Sequence, residues 1–157
     1  MDRTDRNILR LLQEDATLAV AEIAKRIGLS TTPCWRRIQK LEEDGVIEKR
    51  VALLNPDLVQ ARVNVFVSIR TNAHTKEWLL RFSEVISDFP EVVEFYRMSG
   101  DVDYLLRVVV PDIPAYDAFY KRLIEKIEIK DVSSVFAMEQ IKHTTALPLD
   151  YLDLEKG

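Results

Sequence analysis

The chain has 157 residues, 47% of them hydrophobic and 31% charged, with a formal net charge of −4. That is an ordinary composition for a globular protein of one domain or two small ones. No apolar run approaches the roughly 18 residues that a membrane span needs, MDRTDRNILR lacks a secretory apolar stretch, and a single cysteine, Cys34, excludes an intrachain disulfide. A cytoplasmic location without a membrane partner is expected.

Charge is unevenly placed. Residues 1–60 carry ten Lys/Arg and ten Asp/Glu, whereas residues 61–157 carry twelve and sixteen. Neither half is basic, so non-specific attraction to phosphate is modest for one chain.

Residues 4–14 read as a first helix with Ile8, Leu9, Leu11 and Leu12 as its apolar stripe and Thr4 as its cap. Residues 20–27 form a second short helix with Ile23, Ala24 and Ile27 inward, closed by Gly28. The stretch STTPCWRRIQKLEEDG from Ser30 to Gly45 is a third helix with Ser30 as N-cap. Its apolar residues Cys34, Ile38 and Leu41 fall at i, i+4 and i+7, one helical face. Its opposite side offers hydroxyls and cations. Two short helices joined by a tight turn, the second presenting such a face, are the pattern that enters a DNA major groove.

The candidate DNA contacts are therefore Ser30, Thr31, Thr32, Arg36, Arg37 and Lys40. Hydroxyls and N–H groups at a helix start suit phosphate oxygens, and arginine takes phosphate or the O6 and N7 of guanine. Trp35 lies off the apolar stripe and is either exposed near the DNA backbone or tucked under the N-terminal strand; partial burial is expected, within reach of phosphate or deoxyribose. Lys49 and Arg50, in an extended segment 46–54, are candidates for flanking phosphates. Cys34 reads as a small buried apolar residue, its thiol protonated and unreactive.

Asn55-Pro56 breaks the chain, and residues 55–61 are the expected hinge between a domain 1–54 and a domain 62–157. Beyond it Val63, Val65, Val67 and Ile69 alternate as a strand. Residues 75–88 and 112–127 read as helices, and 92–98, 104–110 and 132–143 as strands. The order β-α-β-β-α-β predicts an α+β chain: a three-helix helix-turn-helix domain followed by a ferredoxin-like domain. Both helices cover one sheet face. The bare face predicts association, most simply a two-fold homodimer.

Gly100-Asp101-Val102-Asp103 joins two strands and reads as a hairpin turn. Two carboxylates there also match the ammonium of an amino acid. A catalytic or metal-binding reading finds no support, because no His or Cys completes a ligand set. No catalytic residue, metal or cofactor is expected. His74 and His143 have no Ser or Cys partner at a readable spacing and are expected to be structural or solvent-facing.

DRNILRLLQEDATL with AEIAKRIGLS, then CWRRIQKLEEDGVI, VALLNP, RMSGDVDYLLRVVVPD and SSVFAMEQIKHTTALPL together resemble the Lrp/AsnC (feast/famine) family of transcription regulators over nearly the whole chain. TTPCW and MEQIKHTTALPL resemble a branch that senses small amino acids, cysteine among them. The resemblance implies dimers paired sheet to sheet, often assembled into an octamer of four dimers. It implies an amino-acid effector bound where dimers meet. It carries effector contact onto Gly100, Asp101, Asp103, Tyr104, Ile113, Ser134, Val135, Phe136 and Ala137. The expected function is a sequence-specific DNA-binding regulator of amino-acid metabolism genes. The alternative is a ligand-independent architectural DNA binder on the same fold. One departure is Ala19, where the family often has a serine that caps the second helix.

Overall fold

The computed structural model describes residues 1–73 and 75–152; the expectation for His74 lies outside them. They form two compact units. One is Met1–Ala52 with the tail from Lys142; the other is Leu53–Ile141. Residues 142–152, read from the sequence with the second domain, group with the helices by their contacts.

The helical unit contains α1 (Arg3–Glu14), α2 (Val20–Ile27) and α3 (Thr31–Glu43). The cap of α1 is Asp2, not Thr4. The Asp2 carboxylate accepts the Asp5 N–H at 2.9 Å and the Asp5 carboxylate accepts the Asp2 N–H at 3.0 Å. A carboxylate outcompetes a threonine hydroxyl here because its charge also meets the positive end of the helix dipole. Ala19 opens α2 with no side-chain cap. Gly28 ends α2 at φ +73, a conformation that costs a residue with a Cβ, and Leu29 then donates to the Ala24 carbonyl at 2.9 Å. Ile8, Leu9, Ile23, Ala24, Cys34, Ile38 and Leu41 are the buried core.

Residues 46–54 do not form the expected strand and pair with none among the described residues. Ile47 reaches back to the helical core, its N–H bonded to the Leu41 carbonyl at 3.0 Å. Val46, Val51, Leu53 and Leu54 stay exposed. Local β preference needs a ladder partner before it yields a strand.

In the second unit β1 (Val63–Arg70), α4 (Lys76–Ser87), β2 (Val92–Arg97), β3 (Tyr104–Val110), α5 (Ile113–Lys126) and β4 (Asp131–Phe136) follow one another. The antiparallel sheet has the order β2-β3-β1-β4, the ferredoxin-like arrangement. The last strand stops at Phe136, seven residues short of the expected His143.

Alternation divides the sheet cleanly. Val65, Val67, Ile69, Leu106 and Val108 are buried against Phe82, Ile86, Phe119 and Leu123. The other face presents Phe66, Leu105, Val109, Val135 and Tyr96, with Phe66, Tyr96 and Val135 exposed. A polar seam crosses it. Arg107 donates to Asn64 at 3.0 Å and to Glu94 at 2.5 Å, and the Tyr96 hydroxyl donates to the same Glu94 carboxylate at 2.9 Å.

Candidate nucleic-acid interface and ligand region

The stripe Cys34–Ile38–Leu41 is buried and sets how α3 rolls on its neighbours. That roll turns Ser30, Thr31, Thr32, Trp35, Arg36 and Lys40 outward. Ser30 stands at the N-cap with extended backbone, but its hydroxyl makes no capping bond, so Ser30 does not cap as expected and its oxygen is available to another partner. Trp35 is half exposed, not tucked beneath a strand. Arg36 has no ion-pair partner among the described residues.

Arg37 is different. It points at the start of α1 and pairs with Asp5 at 2.7 Å and Asp2 at 2.8 Å. The Asp5 hydrogen bond, followed by the pairing with Asp2, raises the already high pKa of its guanidinium. Its charge is already engaged within the domain, unlike that of its neighbour Arg36. The D-x-x-D spacing at positions 2–5 was the signal for this anchor. A crevice of about 570 Å³ lies along this seam, with Asp2 and Asp5 opposite Arg36, Arg37 and Lys40.

Two other cations are partly engaged. Lys40 pairs with Asp44 at 3.0 Å, and Arg50 pairs with Glu42 at 2.8 Å. Both lie near the surface, where such pairs are weak and exchangeable. Lys49 is exposed. Buried Cys34 has its thiol pKa pushed up by desolvation, consistent with an inert packing role.

The residues assigned to an effector do not converge within one chain. At one end of the sheet Gly100 turns the β2–β3 connection at φ +111. Asp103 bolts this turn to the end of β1: its carboxylate accepts the Thr71 N–H at 2.8 Å and its own N–H bonds the Ile69 carbonyl at 3.0 Å. Asp101 is exposed. Tyr104 is buried, its ring packed on Trp78, Phe82 and Phe95.

Ile113, Phe136 and Ala137 lie at the opposite end, where the Ala137 N–H bonds the Asn64 carbonyl at 2.9 Å. A strand of β3's length spans about 20 Å, too far for one amino acid to touch both ends. Ser134 shares a short hydrogen bond with the Tyr116 hydroxyl, and Phe136 meets the Tyr116 ring edge-on at 5.2 Å. Burial raises the Tyr116 pKa, so this hydroxyl stays neutral. Val135 points to the other sheet face.

Beside the hairpin end lies a cleft of about 290 Å³ lined by Thr71, Asn72, Ala73, Trp78, Arg81, Ile127, Glu128, Ile129 and Lys130. Trp78 and the two isoleucines offer an apolar wall, Arg81 and Lys130 cations, and Glu128 an anion, a chemistry matched to a zwitterion. No motif signals it, because Arg81 on α4 lies far in sequence from Glu128 and Lys130 after α5, and only folding brings them together.

Residues 1–48 match the winged helix-turn-helix DNA-binding family, and residues 64–147 match the Lrp/AsnC ligand-binding domain. The chain belongs to the Lrp/AsnC family of transcription regulators. It is 48% identical over 151 residues to the DNA-binding transcriptional activator DecR of Escherichia coli (strain K12), covering 96% of this chain and 99% of that one. An AsnC family transcriptional regulator from Agrobacterium tumefaciens superposes with a TM-score of 0.95 at 78% identity, over 97% of this chain and 99% of its own. The regulator NMB0573 from Neisseria meningitidis, solved as an L-Met complex, gives a TM-score of 0.90 at 34% identity, over 96% and 97%. The chain is thus a DNA-binding helix-turn-helix protein with an amino-acid ligand-binding domain of ferredoxin-like fold. Among the described residues no helix is long and apolar enough to cross a membrane.

Proposed function

We propose that this protein is a cytoplasmic, sequence-specific regulator of amino-acid metabolism genes, working as a homodimer that assembles further, to an octamer of four dimers. The observation that carries the DNA reading is the outward face of α3, Ser30 to Arg36, held in place by the buried Cys34–Ile38–Leu41 stripe. Two such helices, one per protomer, sit about 34 Å apart in successive major grooves. Supporting the dimer is the exposed face of Phe66, Tyr96 and Val135, with the Arg107–Glu94–Asn64 seam already ordered.

The effector is a small or apolar amino acid at the contact between dimers, cysteine among the candidates. The hairpin end of one protomer supplies Gly100, Asp101 and Asp103 there. A neighbour supplies the Ile113, Ser134, Phe136 and Ala137 end, which accounts for two halves too far apart within one chain. An amino-acid-bound relative supports this class of ligand. Coupling of effector to DNA is typically about 1–3 kcal/mol.

The second reading is a ligand-independent architectural DNA binder, in which the two halves never close on a ligand. Calorimetry of the full chain with a panel of amino acids separates them. Heat for one or a few small amino acids, lost in Asp101→Asn, supports the regulator; no heat for any, with DNA binding intact, favours the rival.

A further inference from the structure

The tail beyond Lys142 returns to the helical unit and closes on α1 through three kinds of contact. The Gln13 side chain clasps the backbone of Leu147 in both directions: the Leu147 N–H donates to Oε1 at 2.7 Å, and Nε2 donates to the Leu147 carbonyl at 3.2 Å. Leu149, in a single 3-10 turn, packs against the helical core. Asp150 accepts from Arg10 at 2.6 Å. The Arg6 guanidinium, whose Nε is buried without an acceptor among the described residues, stands 3.9 Å from the same carboxylate.

Arg6, Arg10 and Gln13 are spaced four and three apart, one face of α1. An amide that copies a strand's bonding, an apolar anchor and an ion pair, all set by one short segment, specify a docked tail. A fraying terminus makes no such set of contacts.

The helical unit is consequently joined to the sheet unit twice, at Ala52–Leu53 and at Ile141–Lys142. Between Phe136, the end of β4, and the clasped Leu147 lie ten residues, which reach at most about 35 Å. We propose that this tail clip is a second tether through which the sheet unit restricts the position of α3, and so sets the half-site spacing that a dimer accepts on DNA. With the clip shut, the helical unit is held through both connections. With it open, only the exposed residues after Ala52 hold it, and its range widens. The clip rests largely on exposed polar contacts, so it opens more readily than the core beneath it. The inference rests on the reading of the protein as a dimer.

The test uses the full chain and duplexes whose half-site is selected by the wild-type protein from a random pool. Two half-sites are placed at separations stepped around one helical turn, about 10 base pairs. Wild-type affinity should peak at one separation, about tenfold above those half a turn away. Leu149→Ala with Asp150→Asn should flatten that profile to within about twofold while keeping single-half-site affinity. Asp150→Asn alone, at an exposed carboxylate, serves if the double variant does not fold.

Hydrogen exchange reports the clip itself: the Leu147 amide should be protected in the wild type and lose protection in Gln13→Ala. An unprotected Leu147 in the wild type overturns the inference. So does an unchanged spacing profile in a variant whose Leu147 exchanges freely. Sedimentation of the wild type as a monomer removes the dimer reading and this inference with it; a dimer with a clip-insensitive profile removes the inference alone.

Discussion

Arg36 and Arg37 are adjacent, equally basic and on one helix, yet their environments assign them different work, and substitution should separate them. Arg37→Ala removes ion pairs to Asp5 and Asp2 that hold the start of α1 against α3. Asp5 is mostly buried, while Asp2 and Arg37 are about one-third exposed, so solvent screens part of the attraction. Each pair contributes about 0.5–1 kcal/mol at such exposure. Their loss totals about 1–2 kcal/mol, or about 5–15 °C in the melting of a domain this small.

Arg36→Ala removes an exposed side chain, so melting should stay within about 2–4 °C, since surface substitutions rarely exceed about 0.5 kcal/mol. Its effect should appear in DNA titrations. The slope of log affinity against log salt should fall by about 0.9 for each phosphate that is no longer neutralised. Arg37→Ala should weaken DNA binding through a misplaced α3, with the salt slope nearly unchanged. Far-ultraviolet circular dichroism melting and fluorescence-anisotropy titration at several salt concentrations measure both. Unchanged melting with a reduced salt slope in Arg37→Ala would refute the anchor and return Arg37 to the DNA.

The same anchor makes the helical unit sensitive to acid. The Asp2 pKa is lowered, first by the Asp5 N–H and then by Arg37. Its contribution is therefore fully present above the usual carboxylate value and is lost as pH falls through the lower folded value. Asp2→Asn should remove that part of the acid-side loss, and superimposable acid melts of the two proteins would contradict it. On the open sheet face, Val135→Asp should yield monomers of unchanged secondary structure by sedimentation and circular dichroism, since a charge there opposes pairing without entering the core. Tyr104→Ala should destabilise the sheet unit by about 3–5 kcal/mol in urea unfolding, as for other large aromatic truncations in a core. Cys34 should resist a thiol reagent in the native protein and react in urea; fast native labelling would show that the α3 stripe is not packed as described.

Much of the fold was legible because its elements are locally encoded. The 3.6-residue stripes of α1–α3, the two-residue alternation of β1 and the turn residues Gly28 and Gly100 each reflect backbone geometry over a few neighbours. The outward face of α3 was legible for the same reason: once Cys34, Ile38 and Leu41 turn inward, Thr31, Thr32 and Arg36 have only outside to go.

The sequence was least informative where a residue's surroundings depend on a distant partner. Val46–Leu54 has strand composition but no ladder beside it. Arg37 looked like its neighbour until Asp5, thirty-two positions earlier, came to lie 2.7 Å away. Tyr104 belongs to the GDVDY motif, yet its strand parity and the aromatic rings of α4 and β2 draw it into the core. Periodicity thus determined the element order, the resemblance of its motifs pointed to the family, and the buried stripe of α3 set which helix face is offered outward. Tertiary structure alone decided which cations are free, which way each effector candidate faces, and that the tail closes on α1, because charge pairing and burial are set by contacts between residues far apart in sequence.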